Sequence, residues 1–160
     1  MDENSVTIDL RGIDQVFEIN ETDMYVRVGV GCTWHNLYTA LKARGLRTPY
    51  FGPMSGYSAT VGGALSQGSF FLGSTEYGTV MDSVLSLEMV LADGSIVHTG
   101  SDSAAGVAPF YRNYGPDLTG LFLADTGALA RPKTRPRNAA ASANWRWAAS
   151  PMQCARRSSC

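Results

Sequence analysis

The hydrophobic residues of this chain change period at Thr33, and that change limits what the chain can fold into. Before it, apolar side chains recur every second position: Val6, Ile8 and Leu10 in "SVTIDL", then "QVFEIN" and "MYVRVGVG". A period of two is the mark of a half-buried strand. The polar "ETD" between the second and third runs predicts an antiparallel pair over Val16–Asn20 and Met24–Gly29. After Thr33, the residues Trp34, Leu37, Tyr38 and Leu41 fall at i, i+3, i+4 and i+7, on one face of a helix. Thr33 is placed to cap its start, with Lys42 and Arg44 in the last turn and Gly45 beyond it.

Downstream, "TPYFGPMSGYS" has the proline and glycine content of an irregular loop. The stretch Thr60–Gln67 predicts a short helix whose first turn holds Gly62 and Gly63, with Ser58 and Ala59 at cap positions. "SVLSLEMVLADGSIVHTG" predicts two strands joined at Asp93-Gly94. In "GPDLTGLFLAD", Pro116 stands at a first helical position and Asp117 in the first turn, followed by apolar Leu118, Leu121 and Phe122. Runs of strands that do not alternate strictly with helices predict an α+β domain, a small antiparallel sheet flanked by helices.

A chain of 160 residues fits one domain. Its net charge of −1 gives no overall reason to expect nucleic acid or an anionic membrane as partner. Charge is uneven along the chain, however: all 14 acidic residues lie at or before Asp125, while 7 of the 13 basic ones follow it. Residues 130–160 have no carboxylate and no sustained apolar period, and are expected to be a disordered basic tail. A nucleic-acid-binding arm using Arg131 to Arg157 is the functional alternative for that tail. Cys32, Cys154 and Cys160 imply no disulfide framework. "MDENSV" lacks the features of a signal peptide, and no run of apolar residues is long enough to span a bilayer, so a cytoplasmic setting is expected.

Several motifs are incomplete. "VRVGVGCTWH" opens like a dinucleotide fingerprint, yet Trp34 stands where the third small residue is needed. Cys32 and His35 have a C-x-x-H spacing that no further ligands complete, and no metal site is expected. No Walker or G-x-S-x-G sequence is present, and no catalytic residue can be named. The pair Gly62-Gly63 in "YSATVGGALSQGS" has two readings. Glycines at a helix start let an anion approach the amides, with Ala59 and Thr60 alongside. Alternatively they permit only tight packing.

Taken together, "GPMSGYSATVGGALSQGS", "EYGTVMDSVLSLEMVLADGSIVHTG" and "YGPDLTGLFLADTGAL" resemble the FAD-linked oxidase family, the vanillyl-alcohol-oxidase or PCMH-type flavoproteins, over roughly residues 5 to 129. Within it the look is of D-lactate dehydrogenase and glycolate oxidase subunit-like members. The resemblance implies that residues 1–129 are the second of two α+β subdomains that hold FAD between them. It implies that Pro53, Ser55, Ser58, Ala59 and Thr60 line the cofactor, that Gly62 and Gly63 admit its pyrophosphate, and that Gln67, Gly68, Ser69, Tyr77 and Gly78 continue the contact.

Two departures are visible. The P-R-G-G-G-T-like loop of the family's first subdomain is absent from this sequence, and after "DTGAL" the chain reads "ARPKTRPRN" where the family pattern has glycine, an apolar residue and a further strand. An acidic residue expected near Thr126 is also missing. By the same resemblance the expected chemistry is oxidation of a 2-hydroxy acid or similar alcohol by FAD. The chain alone is expected to lack turnover, the alternative being a non-catalytic remnant or fragment of such an enzyme.

Overall fold

The computed structural model describes residues 7–50, 52–104, 111–113 and 115–129, and the backbone of 131–132 and 143–146. Alternation in "QVFEIN" and "MYVRVGVG" becomes strands β1 (Val16–Asn20) and β2 (Tyr25–Val28), paired antiparallel as expected. The turn between them is tied by Asn20, whose Oδ1 accepts the amides of Thr22 and Asp23 at 3.0 and 2.8 Å. On β2, Val26 and Val28 are fully buried.

"SVTIDL" departs from expectation. Residues 7–10 form no strand and Ile8 is half exposed. Asp9 instead accepts the backbone amide of Arg11 at 2.9 Å and its guanidinium at 2.6 Å, bonds that bend the chain locally.

Helix α1 (Trp34–Lys42) follows the 3.6 period. Thr33 caps it, its Oγ1 accepting the Asn36 amide at 3.2 Å. Trp34, Leu37 and Leu41 are buried, but Tyr38 lies at the edge of the apolar stripe and is 41% exposed. Helix α2 (Val61–Gln67) is capped by Thr60, one residue after Ala59 and two after Ser58, and closes at Gly68, whose φ of 61° suits a residue without Cβ. Helix α3 (Ser74–Tyr77) and a 3₁₀ turn over Val80–Ser83, neither foreseen from periodicity, lead into β3 (Val84–Ser86).

The Asp93-Gly94 hairpin joins β4 (Glu88–Val90) to β5 (Ile96–His98) in the expected antiparallel register, Met89 opposite Val97. Helix α4 (Leu118–Leu121) is shorter than its apolar pattern implies. Asp117 caps it rather than entering the first turn, accepting the Gly120 amide at 2.9 Å. Leu118 and Leu121 face outward, and the buried residue is Thr119. Its hydroxyl donates to Thr99 Oγ1 at 2.8 Å, which also accepts the Leu87 amide at 2.8 Å. Burial of a hydroxyl therefore decides the facing of α4, since an unbonded one would cost more than an exposed leucine.

Two short stretches of the segment expected to be disordered are strands, β6 (Arg131–Pro132) beside β4 and β7 (Ala143–Arg146) between β2 and β3; the rest of 130–160 lies outside the described residues. Backbone pairing, which is indifferent to the poor strand composition there, accounts for both. The sheets are thus β1-β2-β7-β3 and β5-β4-β6, all pairs antiparallel, with helices packed against them: an α+β fold, as the alternation of periods implied. The core runs from Val26, Val28 and Val84 through Leu37 and Leu41 to Val61 and Leu65. Among the described residues no helix is long and apolar enough to cross a membrane.

Asp117 offers a test of the α4 cap. The hydrogen-bonded Arg112 guanidinium, 2.9 Å away, holds its carboxyl below the usual range. A depressed folded value contributes stability above the ordinary carboxylate pKa near ~4, lost as pH falls through the folded value. Asp117→Ala should lower the urea midpoint at neutral pH and have progressively less effect from about pH 4 downward. Equal midpoints for the two proteins at pH 7 would reject the cap.

Candidate functional site

The first turn of α2 is fixed by its neighbours. Val61 N–H donates to Cys32 O and Gly62 N–H to Val30 O, both at 2.8 Å, and Gly63 N–H donates to Thr60 Oγ1 at 3.1 Å. Trp34 N–H donates in turn to Ala59 O at 3.1 Å, so the chain entering α2 lies against the chain entering α1. A Cβ on Gly62 would stand 2.7 Å from Val30 Cβ and 2.8 Å from its carbonyl oxygen, whereas a Cβ on Gly63 would meet only the Thr60 hydroxyl, at 3.1 Å. The two adjacent glycines therefore do different things. Gly62 lets backbone meet backbone; Gly63 leaves a hollow.

That hollow is a groove of about 310 Å³. Thr60, Gly62, Gly63 and Ser66 form its α2 wall, residues 8–11 its opposite side, and Thr126 and Gly127 one end. The 124–127 turn is docked on the last turn of α2, with Ala124 N–H on Leu65 O at 2.9 Å and Thr126 N–H on Ser66 O at 3.0 Å. Ala124 and Thr126 adopt φ of 56° and 55°, the left-handed region that costs a residue with a Cβ. Strained backbone of this kind clusters at ligand sites.

Of the residues expected to touch the cofactor, the groove brings together Thr60, Gly62 and Gly63. Ala59 is spent on Trp34. Ser55 and Ser58 are exposed in a turn, Ser58 donating to Ser55 O at 3.2 Å. Pro53 lines a second cavity between α1 and residues 47–50 and 52–57. Gln67 is exposed and Gly68 ends α2, its Cβ position 2.9 Å from that of Ala124. Ser69 N–H bonds to Ala64 O at 3.0 Å. Tyr77 and Gly78 close α3, Gly78 packed against Asp82. None of these last residues lines the groove. Ser66 was missed although it lies three residues after Gly63, on the same helical face. Thr126 carries no comparable local signal.

In the groove, the side-chain bond from Arg11 pulls the Asp9 carboxyl down to about 2. So weak a base stays ionised and takes no part in proton transfer near neutrality. Elsewhere, Cys32 is buried, its thiol pushed up to about 11 by burial and then by the charge of Asp14, and His35 stacks on Tyr57 at 4.2 Å between ring centres. Gly29 and Gly31, which begin the fingerprint-like run, press instead on the backbone of Ile13 and of Leu10 and Arg11. Among the described residues no group of three His, Cys, Asp or Glu is arranged to hold a metal.

The chain thus presents an α+β layer with a glycine-walled groove beside α2. The sequence profile described as "FAD binding domain" matches residues 1–100. The glycolate oxidase subunit GlcD of Bacillus subtilis (strain 168) is 33% identical over 127 residues, covering 79% of this chain and 26% of that protein. The probable mitochondrial D-lactate dehydrogenase of Danio rerio is 33% identical over 127 residues, covering 79% and 24%. Among solved structures, alkyldihydroxyacetonephosphate synthase superposes with a TM-score of 0.67 at 22% identity, over 90% of this chain and 25% of that one. The chain belongs to the FAD-linked oxidase family, with the fold of its FAD-binding subdomain and FAD as the family's cofactor. It spans about a quarter of the length of the curated relatives it matches.

The groove fits part of such a cofactor in shape, because the missing Cβ of Gly63 opens it. It does not fit a diphosphate held by the start of α2: the three helical amides there already have acceptors within the chain. The amides of Gly62 and Gly63, which the sequence reading offers to a pyrophosphate, are hydrogen-bonded within the chain.

The glycines are separable by substitution. Gly62→Ala forces a Cβ into backbone and should destabilise by about 1–3 kcal/mol or more, whereas Gly63→Ala should leave the denaturation midpoint nearly unchanged. Equal destabilisation by the two would refute this division of roles.

Proposed function

We propose that this chain supplies the flavin-binding surface of an FAD-dependent oxidoreductase acting on a 2-hydroxy acid or similar alcohol. The observation that carries the reading is the groove opened by Gly63 beside Thr60 and Ser66, in a chain of the FAD-linked oxidase family. Thr60, Gly63, Ser66 and Thr126 would hold FAD there, the two threonines and the serine offering hydroxyls and Gly63 the room. Bound FAD would supply hydride-accepting chemistry. The substrate class is supported by the names of two relatives, since glycolate and D-lactate are both 2-hydroxy acids.

The chain's own contribution is to bind and orient. Asp9 and Arg11, the titratable residues of the groove, neutralise each other through a 2.6 Å contact and leave no proton acceptor of suitable strength. Turnover by the chain alone is therefore not expected. Binding is expected to be weak, because a groove open along one side leaves much of a long cofactor in water.

Fluorescence anisotropy of FAD titrated with the protein tests this. Anisotropy should rise saturably, and Gly63→Leu, which fills the groove, should weaken binding at least about tenfold with the thermal midpoint retained. No oxidation of glycolate or D-lactate should accompany binding. FAD that tumbles freely at the highest soluble protein concentration, or that binds equally well after Gly63→Leu, would sink the proposal.

A further inference from the structure

The turn that closes one end of the groove is held by a residue that does not line it. Thr126 and Gly127 border the groove, whereas the half-buried Asp125 between them and Ala124 in sequence does not. Asp125 nevertheless accepts hydrogen bonds from each of the four residues that follow it. Its Oδ1 accepts the Gly127 amide at 2.8 Å and its Oδ2 the Leu129 amide at 3.1 Å. Its backbone carbonyl accepts the Ala128 amide at 3.0 Å and the Thr126 hydroxyl at 2.7 Å. Bonds from an amide to a carboxylate are roughly twice as strong as those between neutral groups, so the side chain contributes the stronger part of this set.

Such a hold is needed because the backbone it fixes is unfavourable. Ala124 and Thr126 both lie in the left-handed region, at φ of 56° and 55°, and for a β-branched residue such as Thr126 that region is a genuine outlier. The anchors on α2 oppose this strain only in part. Leu65 O, which accepts the Ala124 amide at 2.9 Å, also accepts the Gly68 amide at 3.2 Å, so one of the two docking carbonyls is shared. Thr126 N–H on Ser66 O is the other anchor. With the carboxylate gone, Gly127 and Leu129 can give their amides to water, and the turn is free to relax. A return of Thr126 to the ordinary negative φ range rotates the chain there by roughly 100° or more and carries its hydroxyl out of the groove.

We propose that Asp125 is the positioning residue of the groove: it touches no ligand itself, and by holding the strained 124–128 turn it keeps Thr126 and Gly127 in the wall that meets FAD. The inference rests on the flavin reading of that groove. It assigns the preformed shape of the groove's end to one carboxylate.

The test uses FAD anisotropy on the full 160-residue chain, at a temperature where circular dichroism shows each protein folded. Asp125→Ala should weaken FAD binding at least about tenfold. Asp125→Asn keeps one side-chain oxygen for the Gly127 amide and should lose less than about threefold. Adding Ala124→Gly to Asp125→Ala removes one of the strained side chains and should recover part of the loss. Without FAD, exchange of the Thr126 amide hydrogen should quicken in Asp125→Ala by a larger factor than that of Leu37 in the core, the mark of local opening. Asp125→Ala that binds FAD as tightly as the unaltered chain, even with a lowered denaturation midpoint, would make Asp125 a stabilising turn residue only and overturn the inference, leaving the flavin groove standing. Thr126 exchange that is unchanged, or that rises only in step with Leu37, would overturn it as well. FAD bound by neither protein would instead strike the flavin reading, and this inference with it.

Discussion

The structure depends on a close crossing of two chain segments, where Val61 and Gly62 donate to the carbonyls of Cys32 and Val30 without a Cβ between them. This contact sets α2 against the connection from β2 to α1 and thereby fixes the depth at which Val61 and Leu65 enter the core. The next residue, Gly63, then has to point away from the crossing. A groove beside α2 is thus the geometric remainder of a packing requirement. Hydrogen bonds left unmade at so buried a crossing would cost roughly 1–3 kcal/mol each, so the first turn has little freedom to reorganise around a ligand.

This arrangement separates two roles that a glycine pair is easily assumed to share. Helix starts attract phosphate because their amides are unsatisfied. Here the side chain of Thr60 and two carbonyls from another part of the chain satisfy them first. The region then offers hydroxyls and room instead of a concentrated positive end.

Much of the fold was legible because its elements obey local rules. Thr33 caps α1 where the period changes, Asp93-Gly94 turns the hairpin, and Gly68 ends α2. Errors arose where a tertiary partner outweighed a local pattern. The alternation of Ile8 and Leu10 found no strand to pair with, and the Asp9–Arg11 bonds bent the chain instead. In α4 the leucines were turned outward because Thr119 had a buried hydroxyl partner, Thr99, twenty positions away in sequence. The groove was partly legible for the same reason: Thr60, Gly62 and Gly63 fall within four consecutive positions, whereas Thr126 reaches the groove only through a docked turn, and residues 8–11 through the path of the chain.

The place of β7 bears on how such a chain is made. Strands β2 and β3 lie on either side of Ala143–Arg146, so neither gains its inner neighbour until that late stretch arrives. During synthesis the β1–β2 hairpin and α1 emerge from the ribosome long before then, carrying an open row of peptide groups on the inner edge of β2. Pairings between distant parts of a chain are slow to form, and unpaired edges are where nascent proteins aggregate. The inner edge of β2 thus stays open until Ala143–Arg146 is available to cover it.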